Sequence, residues 1–175
     1  MFEYLAGFRA ILVTGPQRSG TCITARCIAQ DLGYKYVDED DIGWRDASQN
    51  KENRLLAITQ EGQGIVVQAP ACAHICTVIG TQDDVAVVFV MRQVEDILAS
   101  QERIGWPYED VELNKYPEEY RLGTAAETKY AYWEGVQKPL IRHPFEVEYE
   151  SLRGHPLWIE DRRGFGPRQW SHDRR

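Results

Sequence analysis

The stretch "ILVTGPQRSGTC", residues 11–22, decides the fold. An apolar run with a β-branched bias enters a turn flanked by Gly15 and Gly20, and a run with helical spacing follows. The phosphate-gripping loop that joins a strand to a helix reads Gly, any four residues, Gly, Lys, then Ser or Thr. Gly15 and Gly20 stand at that spacing, but Thr21 occupies the Lys position and Cys22 the hydroxyl position. The cation of this loop is Arg18. Such a loop is an anion trap, because first-turn N–H groups have no intrahelical partners and the helix dipole favours negative charge there. Ser19 and Thr21 add hydroxyl donors.

Working outward, residues 9–15 read as a buried strand. Residues 21–32 read as a helix with Ile23, Cys27, Ile28 and Leu32 at i, i+4 spacing, stopped by Gly33. "YKYVDEDD" predicts a second strand ending in carboxylates, residues 51–60 a polar helix, and "GIVVQAP" a third strand. Residues 70–79 are expected to form a helix closed by Gly80. "DVAVVFVMR", residues 84–92, is the clearest strand. Residues 94–104 predict a helix with an apolar stripe at Val94, Ile97 and Leu98, and residues 118–136 another, with Tyr130, Trp133 and Val136 on one side. "FEVEYESL" reads as a last strand. Strands alternating with helices predict a three-layer α/β/α fold around a mainly parallel sheet. In such sheets ligands bind beyond the carboxyl ends of the strands. The turns at Gly15, Asp38, Pro70 and Arg92 all fall on that edge.

At 175 residues the chain is expected to be one domain, residues 1–175. Residues 105–117 are aromatic and acidic and suggest a lid; residues 160–175 form an Arg-rich tail. No apolar run approaches a membrane span, and the start has no basic n-region, so a cytoplasmic setting without membrane partners is expected. The net charge of −7 argues against nucleic acid as partner. Yet fifteen Arg stand against five Lys, and Arg offers a planar fork that matches phosphate oxygens. A small anionic ligand fits that balance. Cys72, His74 and Cys76 lack the C-x2-C spacing of a metal knuckle, so no metal is expected.

Ordinary ATP use requires the loop Lys for the terminal phosphates and the following Ser or Thr for Mg²⁺. Both are replaced here. The fragment P-Q-R-S-G-T-C resembles the 5′-phosphosulfate loop of sulfotransferases, P-[KR]-S-G-T-T, which belongs to the P-loop NTPase-like superfamily. Gln17 is extra after Pro16, and Cys22 replaces the final Thr. "VVFVMRQVEDILAS" also resembles that family: its strand ends in Arg92, and Ser100 lies eight residues on. The tail "RRGFGPRQW" resembles the family's R-K-G-x-x-G-x-W element with different inner spacing.

The resemblance implies a donor, 3′-phosphoadenosine 5′-phosphosulfate (PAPS), with PAP as product. It implies that Arg18 stabilises the leaving phosphate and that Gln17, Ser19, Gly20, Thr21 and Cys22 surround it. Arg92 and Ser100, with Arg162, Arg163 and Gly164, would read the 3′-phosphate. Trp106, Tyr108, Tyr116 and Tyr120 would cover a small-molecule acceptor bearing a hydroxyl or amine.

The base is open between His74, whose imidazole suits proton transfer near neutrality, and Asp38 or Asp40. Those carboxylates also support an alternative, a small-molecule kinase using ATP. A second alternative, a nucleotide-binding protein without turnover, follows from Gln68 standing where the family often has Lys. Acceptor identity and oligomeric state are not written in these motifs.

Overall fold

Residues 10–14, AILVT, carry no polar side chain except the last, and every one of them is buried. A strand apolar on both faces must be covered on both faces, and the rest of the chain does this. The computed structural model describes residues 1–42 and 51–158. Its sheet consists of β1 (Ala10–Thr14), β2 (Lys35–Val37), β3 (Ile65–Gln68), β4 (Val85–Met91) and β5 (Pro144–Glu148), in the order β2-β3-β1-β4-β5. All four pairings are parallel. In the centre, Leu12 stands between Val67 of β3 and Val87 of β4.

Among the described residues six α-helices accompany the strands: α1 (Thr21–Leu32), α2 (Lys51–Glu61), α3 (Cys76–Ile79), α4 (Val94–Arg103), α5 (Glu109–Leu113) and α6 (Ala125–Tyr132). Alternate strand residues feed two cores. Leu12, Val67, Val87 and Phe89 pack with Leu55 of α2, Ile79 of α3 and Trp133, whose ring stacks on Phe89 at 4.5 Å. Ile11, Val13, Val66, Val88 and Val90 pack on the other face with Phe2, Leu5 and Ile28 of α1. The three-layer α/β/α arrangement expected from the sequence is therefore present.

Two segments differ from expectation. Residues 70–79 do not form one helix: a 3-10 stretch, Pro70–Ile75, precedes α3, and Cys72 has non-helical φ and ψ. Pro70 cannot donate a backbone hydrogen bond. Residues 118–136 divide into a 3-10 turn, Glu118–Tyr120, then α6, then a π-helical turn, Trp133–Gln137. Thr124 caps α6 by accepting from the Glu127 N–H, so the helix starts at Ala125 rather than at residue 118. No helix among the described residues is long and apolar enough to cross a membrane.

The open end of the sheet is closed by Arg9. Its Nη1 donates to the carbonyls of Thr59, Gln60 and Gly62 at 2.6, 3.0 and 2.8 Å, which terminate α2. Its Nε donates to Asp84 at 2.6 Å. Arg9→Ala is expected to cost about 1.5–3 kcal/mol of unfolding free energy, the size of a hydrogen bond to a charged group. Denaturant titration checks this, and a loss under about 0.5 kcal/mol, the scale of an ordinary surface substitution, would mean that water serves those carbonyls equally well.

Candidate functional site

The chain leaves β1 for β2 and β3 on one side, then crosses to β4 and β5 on the other, so β1 ends at the point where the strand order reverses. Crevices form at such points. Here the loop from Gly15 to Gly20 fills that place. Gly15 has φ +141°, Arg18 φ +75° and Gly20 φ +102°. Arg18 is the one non-Gly residue with positive φ among those described. A side chain in that region costs about 1–3 kcal/mol, and such residues cluster at ligand clamps. The turn is closed by the Ser19 N–H on the Pro16 carbonyl at 3.1 Å. Alternating backbone handedness of this kind turns successive N–H groups toward one concavity.

Two neighbours, one after β4 and one in α4, hold Arg18. Arg92, just beyond β4, donates from Nη1 to the Arg18 carbonyl at 3.0 Å. Ser100 in α4 accepts from Arg18 Nε at 3.2 Å. Arg103, one helical turn further on, donates to the same Ser100 oxygen at 3.3 Å. Burial first, then the like charges of Arg103 and Arg92, hold the Arg18 guanidinium below its usual range. The Arg92 guanidinium lies 4.5 Å from the centre of the Tyr149 ring. That same ring lies where a Cβ on Gly20 would be, at 2.3 Å, so only glycine fits there.

The remaining loop residues are held from below. Lys129 of α6 donates to the Gln17 side-chain oxygen, to the Pro70 carbonyl at 3.1 Å and to Glu112 of α5 at 2.7 Å. Its side chain is 1% exposed and that of Glu112 2%. Lys115 also donates to Glu112, at 2.5 Å, and to the Ala71 carbonyl. Burial works to raise Glu112, but the two lysines outweigh it and hold the carboxyl below its usual range. Thr21 accepts from Gln68 Nε2 at 3.2 Å, so both side chains at these positions are polar and neutral. Cys22 Sγ lies 3.4 Å from the Tyr36 hydroxyl, which donates to Asp38 at 2.5 Å. The buried Ser19 hydroxyl has no hydrogen-bond partner among the described residues.

The structure thus brings together Gln17, Arg18, Ser19, Gly20, Thr21, Cys22, Arg92 and Ser100. It places His74 elsewhere: the imidazole pairs with Glu52 of α2 at 3.0 Å and meets Tyr116 edge-on. Burial lowers its pKa, against the opposing effect of its hydrogen bond to the Glu52 carboxylate. Asp40 is exposed and donates its N–H to Asp38. Trp106 packs on Tyr108, while Tyr116 and Tyr120 both pack on Tyr132. Cys72 and Cys76 are buried in the core, and burial pushes the Cys76 thiol up. Arg162, Arg163 and Gly164 lie outside the described residues.

Sequence reasoning missed Arg103, Tyr149, Lys129, Glu112 and Glu39. The i, i+3 spacing from Ser100 was the available signal for Arg103. Glu39 accepts from the Ala71 N–H at 3.3 Å, and burial pushes its carboxyl up to about 7.

No family model matches this chain, and no curated protein matches it. Among solved structures, a shikimate kinase from Acinetobacter baumannii in complex with shikimate is similar, with a TM-score of 0.58 and 14% identity over 95% of this chain and 100% of that one. A gluconokinase from Sinorhizobium meliloti has a TM-score of 0.48 and 15% identity over 89% of each chain. The fold is P-loop NTPase-like. At these identities the likeness speaks for the fold alone.

Because Glu39 binds its proton more tightly in the folded chain, it contributes stability that is complete below about pH 4.5 and is lost as pH rises through about 7. Glu39→Gln should remove that loss. Thermal unfolding of both proteins across this window checks it, and parallel curves would remove the buried carboxyl from the explanation.

Proposed function

We propose that this chain is a nucleotide-dependent transferase that passes a small oxyanion group from the nucleotide to a hydroxyl or amine of a small acceptor. The observation that carries this is the meeting of Arg18 in the loop with Arg92 and Ser100 beyond β4. A cation inside a Gly-flanked loop, joined to a second cation on the neighbouring strand, suits a ligand with two separate anionic groups. In the transfer, the acceptor oxygen or nitrogen bonds to phosphorus or sulfur as the bond to the nucleotide's bridging oxygen breaks. The charge left on that oxygen falls to Arg18 and the loop N–H groups. The acceptor's proton goes to a base, and Glu39, held near neutrality, suits that task.

Two donors compete, and each has its own support. The fold likeness favours ATP, and with it a small-molecule kinase, over PAPS. The similar shikimate kinase was solved with a hydroxylated small molecule, shikimate, and Tyr36, Asp38 and Glu39 would give this chain an acceptor side. The loop side chains favour PAPS. Thr21 supplies no charge in the Lys position, and Cys22 stands where a hydroxyl would hold Mg²⁺. A thiol is a poor ligand for that hard ion, and this one already faces Tyr36. The side chains at this position do not fit the metal. PAPS supplies an activated sulfuryl group; Arg18 would hold its 5′-phosphosulfate and Arg92 with Ser100 its 3′-phosphate.

Calorimetric titration with PAP, AMP, ADP and Mg·ATP separates these readings. Metal-independent PAP binding with weak AMP binding is the outcome for sulfuryl transfer, and preference for Mg·ATP is the outcome for phosphoryl transfer. Silence from all four would overturn the nucleotide-dependent reading. Arg92→Ala is expected to weaken the preferred nucleotide by about 1.5–3 kcal/mol, one charged hydrogen bond. Arg18→Ala should lower turnover roughly 10²- to 10³-fold, measured on whichever donor binds.

A further inference from the structure

The Ser100 hydroxyl has two acceptor lone pairs and one O–H. Arg18 Nε and Arg103 Nη2 use both lone pairs, at 3.2 and 3.3 Å. Its O–H has no acceptor among the described residues, although the residue is only 6% exposed. The buried Nε of Arg92 likewise has no hydrogen-bond partner among them, with Asp96 at 4.0 Å. Tyr149 fixes the plane of that guanidinium from below. One hydroxyl proton and one guanidinium N–H are therefore left to donate beside three cationic side chains. Buried polar groups are normally hydrogen-bonded, and exceptions ask for an explanation.

We propose that Arg103 joins Arg18, Arg92 and Ser100 in a subsite for a phosphomonoester dianion, and that Arg103 sets the preference for two charges over one. Arg18 and Arg103 share one hydroxyl and Arg92 binds the Arg18 carbonyl, so three guanidiniums stand close together, and an anion in addition to Asp96 would offset their mutual repulsion. A monoanion leaves most of that repulsion in place, whereas a dianion offsets more of it and presents three oxygens to the donors. Arg103 is exposed on the last turn of α4, so it can turn toward an arriving ligand without rearranging the core. The subsite deepens the nucleotide reading and rests on it only for which molecule carries the phosphate: a ribose 3′-phosphate and the terminal phosphate of a triphosphate share this chemistry.

The test uses the full chain and two simple probes, methyl phosphate and dimethyl phosphate, followed by NMR of the arginine Nε–H signals. Methyl phosphate should bind at least about tenfold tighter, a difference of about 1.4 kcal/mol. Its affinity should rise as pH passes its second ionisation, near 6; the diester should show no such rise. Arg103→Ala should erase the difference with unfolding temperature unchanged, and Arg103→Lys should recover part of it. Equal binding of the two probes by the native chain, no binding of either, or a preference kept in Arg103→Ala would each overturn the proposal. With nucleotides, a loss in Arg103→Ala confined to PAP relative to AMP assigns the subsite to a 3′-phosphate. A loss confined to ATP relative to ADP assigns it to a terminal phosphate. If no nucleotide binds while methyl phosphate does, the nucleotide reading fails and the subsite stands.

Discussion

One buried ammonium holds the carboxyl edge of the sheet in register. Lys129 reaches the phosphate loop through Gln17, the end of β3 through the Pro70 carbonyl, and α5 through Glu112. Removing an ion from water costs several kcal/mol, and only close pairing with hydrogen bonds offsets it. Lys129 therefore has little freedom: its burial lowers its pKa, the charge of Glu112 opposes that shift, and each partner is needed to keep the other charged. The loop proposed to meet an anion is thus set at its height by groups buried behind it. Residues 105–117 are tied to the same point through Glu112, so any movement of that segment is felt at Gln17.

Above that foundation the loop exchanges the usual phosphate-loop lysine for an arginine in its middle. The exchange alters geometry as well as charge. A lysine at the head of α1 would rise from the helix toward the terminal phosphates, whereas Arg18 lies across the loop toward α4 and ends on Ser100. The cationic centre is thereby displaced from the helix axis to the side of β4, where Arg92 and Arg103 stand. The fold is thus combined with a positive charge placed away from the head of α1.

What could be read from the residues followed the range of the interactions. The limits of α1 were legible to the residue, because Gly20 and Gly33 act within one turn of its ends. β1 and β4 were legible because a run apolar on both faces has few other fates. Arg18, Arg92 and Ser100 were legible as a group only through resemblance, and their contact spans more than seventy residues of sequence. Lys129 and Glu112 were hidden because a charged residue in a helical pattern normally faces water, and nothing local distinguishes a lysine that turns inward. The break at Cys72 was hidden for the opposite reason: the segment has helical spacing, but the turn after β3 must also deliver Pro70 and Ala71 to the site edge.

The Tyr149 ring fills the space that a side chain on Gly20 would need and supports Arg92 from beneath. It follows directly after β5, the strand paired last in chain order and formed far in sequence from the loop it touches. Contacts of such separation form late and slowly. During synthesis the loop from Gly15 to Gly20 would thus emerge early yet stay without its floor until β5 and Tyr149 have been made. Gly20 therefore reaches its final surroundings only once β5 is paired, and the shape of the loop reports that this distant strand has been laid in place.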